Sequence, residues 1–143
     1  MICRRLSLIC LIAFSLTTLS AQDLKVDSLG FETFEMQEGD TTYVMKKYFM
    51  ALLKAGPDRD HSPEEAAVIQ KGHLDHMNKL AEEKKICIAG PFGDDGELRG
   101  VVIYSVPTLE EAQRLVETDP AVIAGRLIIE VHPWWAAKGS SLY

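Results

Sequence analysis

Apolar and polar positions change their period several times along the chain, and each change predicts an element. Leu6 to Leu19 is an apolar stretch without a charge, behind Arg4 and Arg5 and ahead of Ser20-Ala21. Residues 22–40 hold six acids and one lysine, with Leu24, Val26, Leu29, Phe31, Phe34 and Met36 scattered between them. They read as an acidic leader, ordered in part at most, whose apolar residues suffice for a short edge strand. From Tyr43 to Leu53 aromatic and branched residues crowd together before Ala55-Gly56-Pro57, the composition of a strand closed by a breaker. Ser62-Pro63-Glu64-Glu65 then carries three helix-start signals: a serine N-cap, proline at the first helical position, and a glutamate that completes a capping box. The period of 3.6 that follows predicts a helix to about Lys84.

Ile86 to Ala89 is a short apolar strand stopped by Gly90-Pro91, and Leu98 to Val106 is another. Gly93-Asp94-Asp95-Gly96 between them is a turn in composition, so the two form a hairpin. Thr108 and Glu111 repeat the capping-box spacing and open a second helix to about Glu117, which Asp119-Pro120 ends. After a turn to Gly125, Arg126 to Val131 is the last strand, followed by His132-Pro133-Trp134-Trp135. The order is βαββαβ, an α+β domain of the ferredoxin-like sandwich type, with both helices on one face of a four-stranded antiparallel sheet. The other face keeps apolar side chains at alternate positions, and a patch of that size is rarely left in water. A homodimer with two sheets face to face, a dimeric α+β barrel, is therefore expected.

Charge and cysteines narrow the setting. The residues before Gln22 have the layout of a secretory signal peptide. The apolar part falls short of the roughly 20 residues that a membrane span needs. The expected division is signal peptide 1–21, acidic leader 22–41, folded domain 42–136 and tail 137–143, in a periplasmic or secreted protein without a stable membrane anchor. The chain carries 15 Lys+Arg against 21 Asp+Glu, a net charge of −6. Loss of Arg4 and Arg5 with the leader makes that 13 against 21, or −8. Such a balance argues against a nucleic-acid partner, since that binding is driven by cations displacing counterions from phosphates. Of the three cysteines, Cys3 and Cys10 lie in the leader and only Cys87 remains, so no internal disulfide is expected. Alternating with Ile86 and Ile88, Cys87 reads as a core residue and not as a nucleophile.

His73 is the first candidate for chemistry. At 100° per residue Ala66 and Leu80 fall within about 20° of it and Ile69 and Met77 about 40° to either side, so it sits inside the helix's apolar stripe. A buried imidazole needs a partner. The sequence leaves three explanations open: a core histidine bonded to a backbone carbonyl, a general acid/base, or a metal ligand paired with His76 at i, i+3, for which further ligands are scarce. Asp119 is equally ambiguous, either an N-cap for the turn at Pro120 or the acid that orients a histidine. Both helices cover the same sheet face, so the two residues can meet. His76, Tyr48, Tyr104 and Arg99 are candidates for a small-molecule pocket between the sheets, and Lys46 for a carboxylate contact. Trp134-Trp135 is expected to seal the barrel end or the dimer seam.

In order and spacing, His73-Leu74-Asp75-His76-Met77, Ala89-Gly90-Pro91, Thr108-Leu109-Glu110-Glu111-Ala112 and Asp119-Pro120-Ala121-Val122 resemble the YCII-related domain family over about residues 42–135. The resemblance implies the dimeric α+β barrel and a catalytic histidine–aspartate pair, here His73 and Asp119. It also implies cofactor-independent lyase or isomerase chemistry, since a dehydrochlorinase and relatives of lactone isomerases are among the similar proteins. The alternative is a non-catalytic binding or structural module. Two features depart from the family's pattern: Lys84 stands where a glycine usually ends the first helix, and the signal peptide and acidic leader are unusual for it.

Overall fold

The computed structural model describes residues 23–142; the expected signal peptide lies outside the described residues. The elements in chain order are β1 (Lys25–Val26), β2 (Glu32–Glu38), β3 (Thr41–Ala55), α1 (Pro63–Glu82), β4 (Ile86–Pro91), β5 (Leu98–Tyr104), α2 (Leu109–Glu117), α3 (Pro120–Ile123) and β6 (Leu127–Ala137). Every strand pairing is antiparallel. Four strands lie side by side in the order β4-β5-β3-β6, with α1 and α2 against one face.

The expected leader is more ordered than its composition suggested, and the edge strand it allowed for is present. Residues 32–38 form a seven-residue strand whose partners run from Thr33 opposite Lys46 to Glu38 opposite Thr41. β2 and β5 thus lie end to end along one edge of β3, while β6 runs along the other. Phe34 and Trp135 meet with ring centroids 4.9 Å apart, and Lys47 pairs with Glu32. Phe34 and Met36, which read as scattered apolar residues, are half-buried once β3 runs past the body of the domain. The last strand is likewise longer than expected and continues through Pro133 to Ala137. Proline lacks an N–H for a ladder, and β6 tolerates it as an edge strand, bonded only to β3 among the described residues.

Alternation along β3 sets the two faces. Phe49, Ala51 and Leu53 point to the helices and are buried with Val102 and Tyr104 of β5 and Ile86 of β4. Leu80 of α1 and Ala112 and Val116 of α2 close this core from above. Tyr48, Met50 and Leu52 face the other way and are only half-buried. Cys87 belongs to that side as well and is exposed, contrary to the expectation of a core position. Its Sγ donates to the Ile103 carbonyl at 3.4 Å. Shielding by the neighbouring strands pushes the thiol's pKa up, which leaves it a weak nucleophile.

Helix ends follow the sequence signals closely. Ser62 Oγ accepts from the Glu65 amide at 3.2 Å, and Glu65 Oε2 accepts from the Ser62 amide at 2.9 Å. Thr108 makes only the first half of its expected box, accepting from the Glu111 amide at 3.2 Å. α1 ends at Glu82, two residues before the expected boundary, and Lys84 there adopts φ 59°. That left-handed conformation lets the Lys85 amide bond the Leu80 carbonyl at 2.8 Å and the Lys84 amide bond Ala81 at 2.9 Å, a glycine-type helix stop made by a residue with a Cβ. Lys84→Gly is expected to stabilise the fold by about 1 kcal/mol, visible as a higher midpoint in urea unfolding; an unchanged or lower midpoint would show the lysine to be unstrained.

Candidate functional site

His73 and Asp119 meet inside the fold. His73 Nδ1 lies 2.7 Å from Asp119 Oδ2, and the two residues are 9 % and 1 % exposed. Asp119 answers both of its sequence readings at once. Its Oδ1 accepts from the Ala121 amide at 2.8 Å and caps α3, while Oδ2 takes the histidine. A carboxylate can only accept, so Nδ1 carries the proton of this bond and the neutral ring keeps its lone pair on Nε2. That rules out the backbone-bonded histidine as the account of His73. Tyr104 lies close enough that Asp119's charge adds to burial, the larger cause, in raising the phenol's pKa far above its usual range.

A glycine eases the meeting. A Cβ on Gly72 would come within 3.2 Å of the Pro120 ring, so a side chain next to His73 would need α3 to give by a few tenths of an ångström. Glycine inside a helix costs roughly 0.5–1 kcal/mol. Here the close approach of α1 and α3 accounts for it.

His73 opens onto a cleft of about 480 Å³, within the usual small-molecule range of about 300–1,000 Å³. Leu74 and Met77 of α1, Ala89 to Pro91 of β4 and Arg99 to Val102 of β5 form its walls, and Arg59, Arg126 and Leu127 close one end. Nε2 makes no hydrogen bond among the described residues and is the ring nitrogen left for a ligand.

The cleft lies on the helix side, away from the face on which a second sheet was expected to pack. Of the four pocket candidates only Arg99 lines it. Tyr104 pairs with Phe49 and points into the helix-side core, 1 % exposed. Tyr48, one residue from Phe49, faces the opposite side against Trp134, ring centroids 6.3 Å apart. His76 is held by the Leu115 carbonyl, 3.0 Å from its Nε2, so it does not converge with His73. Lys46 is also engaged elsewhere. Its Nζ donates to Ser105 Oγ at 2.9 Å under the Phe31 ring, 3.9 Å from the centroid, and burial is the first cause of its lowered pKa.

Arg59 and Arg126, which sequence reading passed over, reach the cleft from loops that carry no signal for it. Gly72 did carry a signal, as an isolated glycine within a helical period.

Comparison with known proteins supplies the family. A model of the YCII-related domain matches residues 48–135. The chain belongs to the YCII-related domain family. The match contains His73, Asp119 and the cleft, and begins inside β3, so β1 and β2 precede it. An uncharacterized protein of Bacillus subtilis (strain 168), YjpA, is 30% identical over 67 residues, which are 47% of this chain and 76% of that protein. Among solved structures, muconolactone isomerase superposes with a TM-score of 0.52 at 16% identity, covering 67% of this chain and 95% of that one. A 5-chloro-2-hydroxyhydroquinone dehydrochlorinase from Burkholderia phenoliruptrix AC1100 gives 0.47 at 24% identity, covering 61% and 92%. The first likeness, with the strand order β4-β5-β3-β6, shows that the domain has the ferredoxin-like α+β fold of the dimeric α+β barrel class.

Proposed function

We propose that this YCII-related protein is a cofactor-independent lyase or isomerase that moves a proton on a small carboxylated or cyclic substrate. The observation that carries the reading is the buried His73–Asp119 bond at 2.7 Å, with the second ring nitrogen left to the cleft. Nε2 takes a proton from an acidic C–H of the substrate, and the negative charge of Asp119 stabilises the imidazolium that forms. The electron pair left on carbon then migrates and is reprotonated at another atom by the same Nε2, which is isomerisation. Alternatively it expels a leaving group as an anion, and the imidazolium passes its proton to that anion or to water, which is elimination.

Proton exchange tests this before the natural substrate is known. Incubated in D2O with small carboxylic acids and lactones, the protein should exchange a carbon-bound hydrogen of at least one compound. His73→Gln should slow that exchange by roughly 10²–10⁴-fold. Binding without exchange, or exchange undiminished in His73→Gln, would replace the enzyme with a ligand-binding module.

The proposal includes a homodimer and export. Tyr48, Met50 and Leu52 on the face away from the helices support the first, as does the family's barrel fold. The protein should sediment as a dimer and Leu52→Arg as a monomer; monomeric wild-type protein would refute the assembly. Export rests on Arg4-Arg5, the apolar run and Ser20-Ala21. Protein recovered from the producing cell's exterior or periplasm should begin near Gln22, and an intact Met1 terminus in the cytosol would remove this part.

A further inference from the structure

The charges around the cleft run against those of the whole chain. With a net charge of −6 the protein holds more acids than bases, yet no aspartate or glutamate lines the cleft, whereas Arg59, Arg99 and Arg126 all do. Neither Arg59 nor Arg126 has a carboxylate within 4.0 Å among the described residues. Arg59 spends Nη1 on the Arg126 carbonyl at 3.0 Å, and Arg126 Nη1 lies 3.5 Å from His61 Nδ1. Arg99 is the least satisfied of the three. The carboxylate nearest its guanidinium is that of Asp95, fully exposed and 3.9 Å away, beyond hydrogen-bond distance. Its Nε is shut off from solvent and bonded to nothing. Buried donors without partners are rare and call for an explanation. An exposed ion pair such as Arg99–Asp95 contributes little and gives way readily.

We propose that the cleft takes a small organic anion with an apolar body, and that Arg99 determines this specificity by binding its carboxylate. The inference rests on the proposed function only in taking this cleft as the substrate site. Nε–H and a terminal N–H of arginine point the same way and match the two oxygens of a carboxylate. One such ligand would displace the loose contact with Asp95, and the side chain must turn for Nε, closed to solvent as it stands, to reach the second oxygen. Arg59 and Arg126 strengthen the positive potential without needing to touch the ligand. Leu74, Met77, Val102 and Leu127 give the rest of the molecule an apolar wall. Among carboxylated and neutral cyclic candidates the cleft thus selects the anion.

Binding of benzoate, with benzamide as a neutral probe of nearly the same shape, tests the assignment by calorimetric titration without any need for turnover. Benzoate should bind at least about 10-fold more tightly than benzamide, the difference a charge-assisted pair supplies. Arg99→Gln should abolish that preference by weakening benzoate alone, and Arg99→Lys should restore it in part because it keeps the charge and loses the fork. Thermal unfolding of both variants at the wild-type midpoint would show that the fold is intact. Equal binding of the two probes, binding of neither at millimolar concentration, or a preference untouched in Arg99→Gln would overturn the assignment. The outcomes separate from those of the proton-transfer test. A cleft that prefers benzoate yet exchanges no substrate hydrogen loses only the enzyme reading. Exchange confined to neutral lactones removes only the anion specificity.

Discussion

Asp119→Ala is expected to destabilise the fold by about 2–4 kcal/mol, and Asp119→Asn by no more than about 1 kcal/mol. The alanine removes the cap on α3, worth roughly 0.5–2 kcal/mol, and leaves a buried imidazole donor unpaired at roughly 1–3 kcal/mol. Because both losses fall on one side chain, their sum need not be reached. Asparagine keeps the shape and one acceptor oxygen, but both original partners, the Ala121 amide and His73 Nδ1–H, are donors. With its oxygen on Ala121, the carboxamide turns an N–H towards Nδ1. The ring must then shift its proton to Nε2, and the lone pair facing the cleft is lost. Asp119→Asn should therefore fold and yet lose roughly 10²–10⁴-fold in exchange activity. Urea unfolding measures the stability difference, and nitrogen-15 shifts of the His73 ring report the tautomer. An alanine variant as stable as wild type would deny Asp119 its structural role. A lone pair still on Nε2 in the asparagine variant would remove its part in positioning the histidine.

Gly56→Ala should cost about 3 kcal/mol or more and yield little soluble protein. A Cβ at residue 56 would stand 2.1 Å from the Gly125 carbonyl oxygen and 2.7 Å from the Arg126 carbonyl carbon. Both are backbone atoms with no rotamer to yield. The same contact is stitched by the Gly56 amide to the Arg126 carbonyl at 2.9 Å and the Asp58 amide to Gly125 at 3.1 Å. It is what brings Arg59 and Arg126 to one end of the cleft. Gly125→Ala is expected to be milder, about 1–2 kcal/mol. Its φ of 66° disfavours a side chain, but the atom met at 1.9 Å is Asp58 Oδ2, which can swing away. Thermal unfolding of the two variants should rank Gly56→Ala well below Gly125→Ala. The reverse order would mean that the two loops are not pressed together.

Much of the framework was legible because it follows from short-range rules. Ser62-Pro63-Glu64-Glu65 sets the start of α1 through contacts within one turn. Alternation in Tyr43–Leu53 gives β3 its two faces, and the apolar stripe through Ala66, His73 and Leu80 turns the histidine inward. Once β3, α1, β4, β5, α2 and β6 are read in order, few topologies remain, and the antiparallel pairing of these four strands with the helices on one face is the expected arrangement.

Longer contacts decided the rest. The acids of residues 22–41 suggested a leader, but β3 is long enough to offer a free edge beyond β5, and a free edge binds whatever strand can reach it. Cys87 alternates with isoleucines, yet the side of β4 it takes is not the side the helices cover. Tyr48 and Tyr104 look alike in sequence and end on opposite faces, because strand register alone assigns the face. His73 and Asp119 were each suspected from the sequence, but 46 positions separate them. Gly72 lets Pro120 pack closely beside their bond, and the end of the cleft depends on Gly56 admitting Gly125. Sequence determines the propensities, periods and caps that place each element, because those energies act over a few residues. Which faces meet, and which polar groups they bring together, is decided only when the elements pack, because a contact between distant residues leaves no periodic trace in the chain.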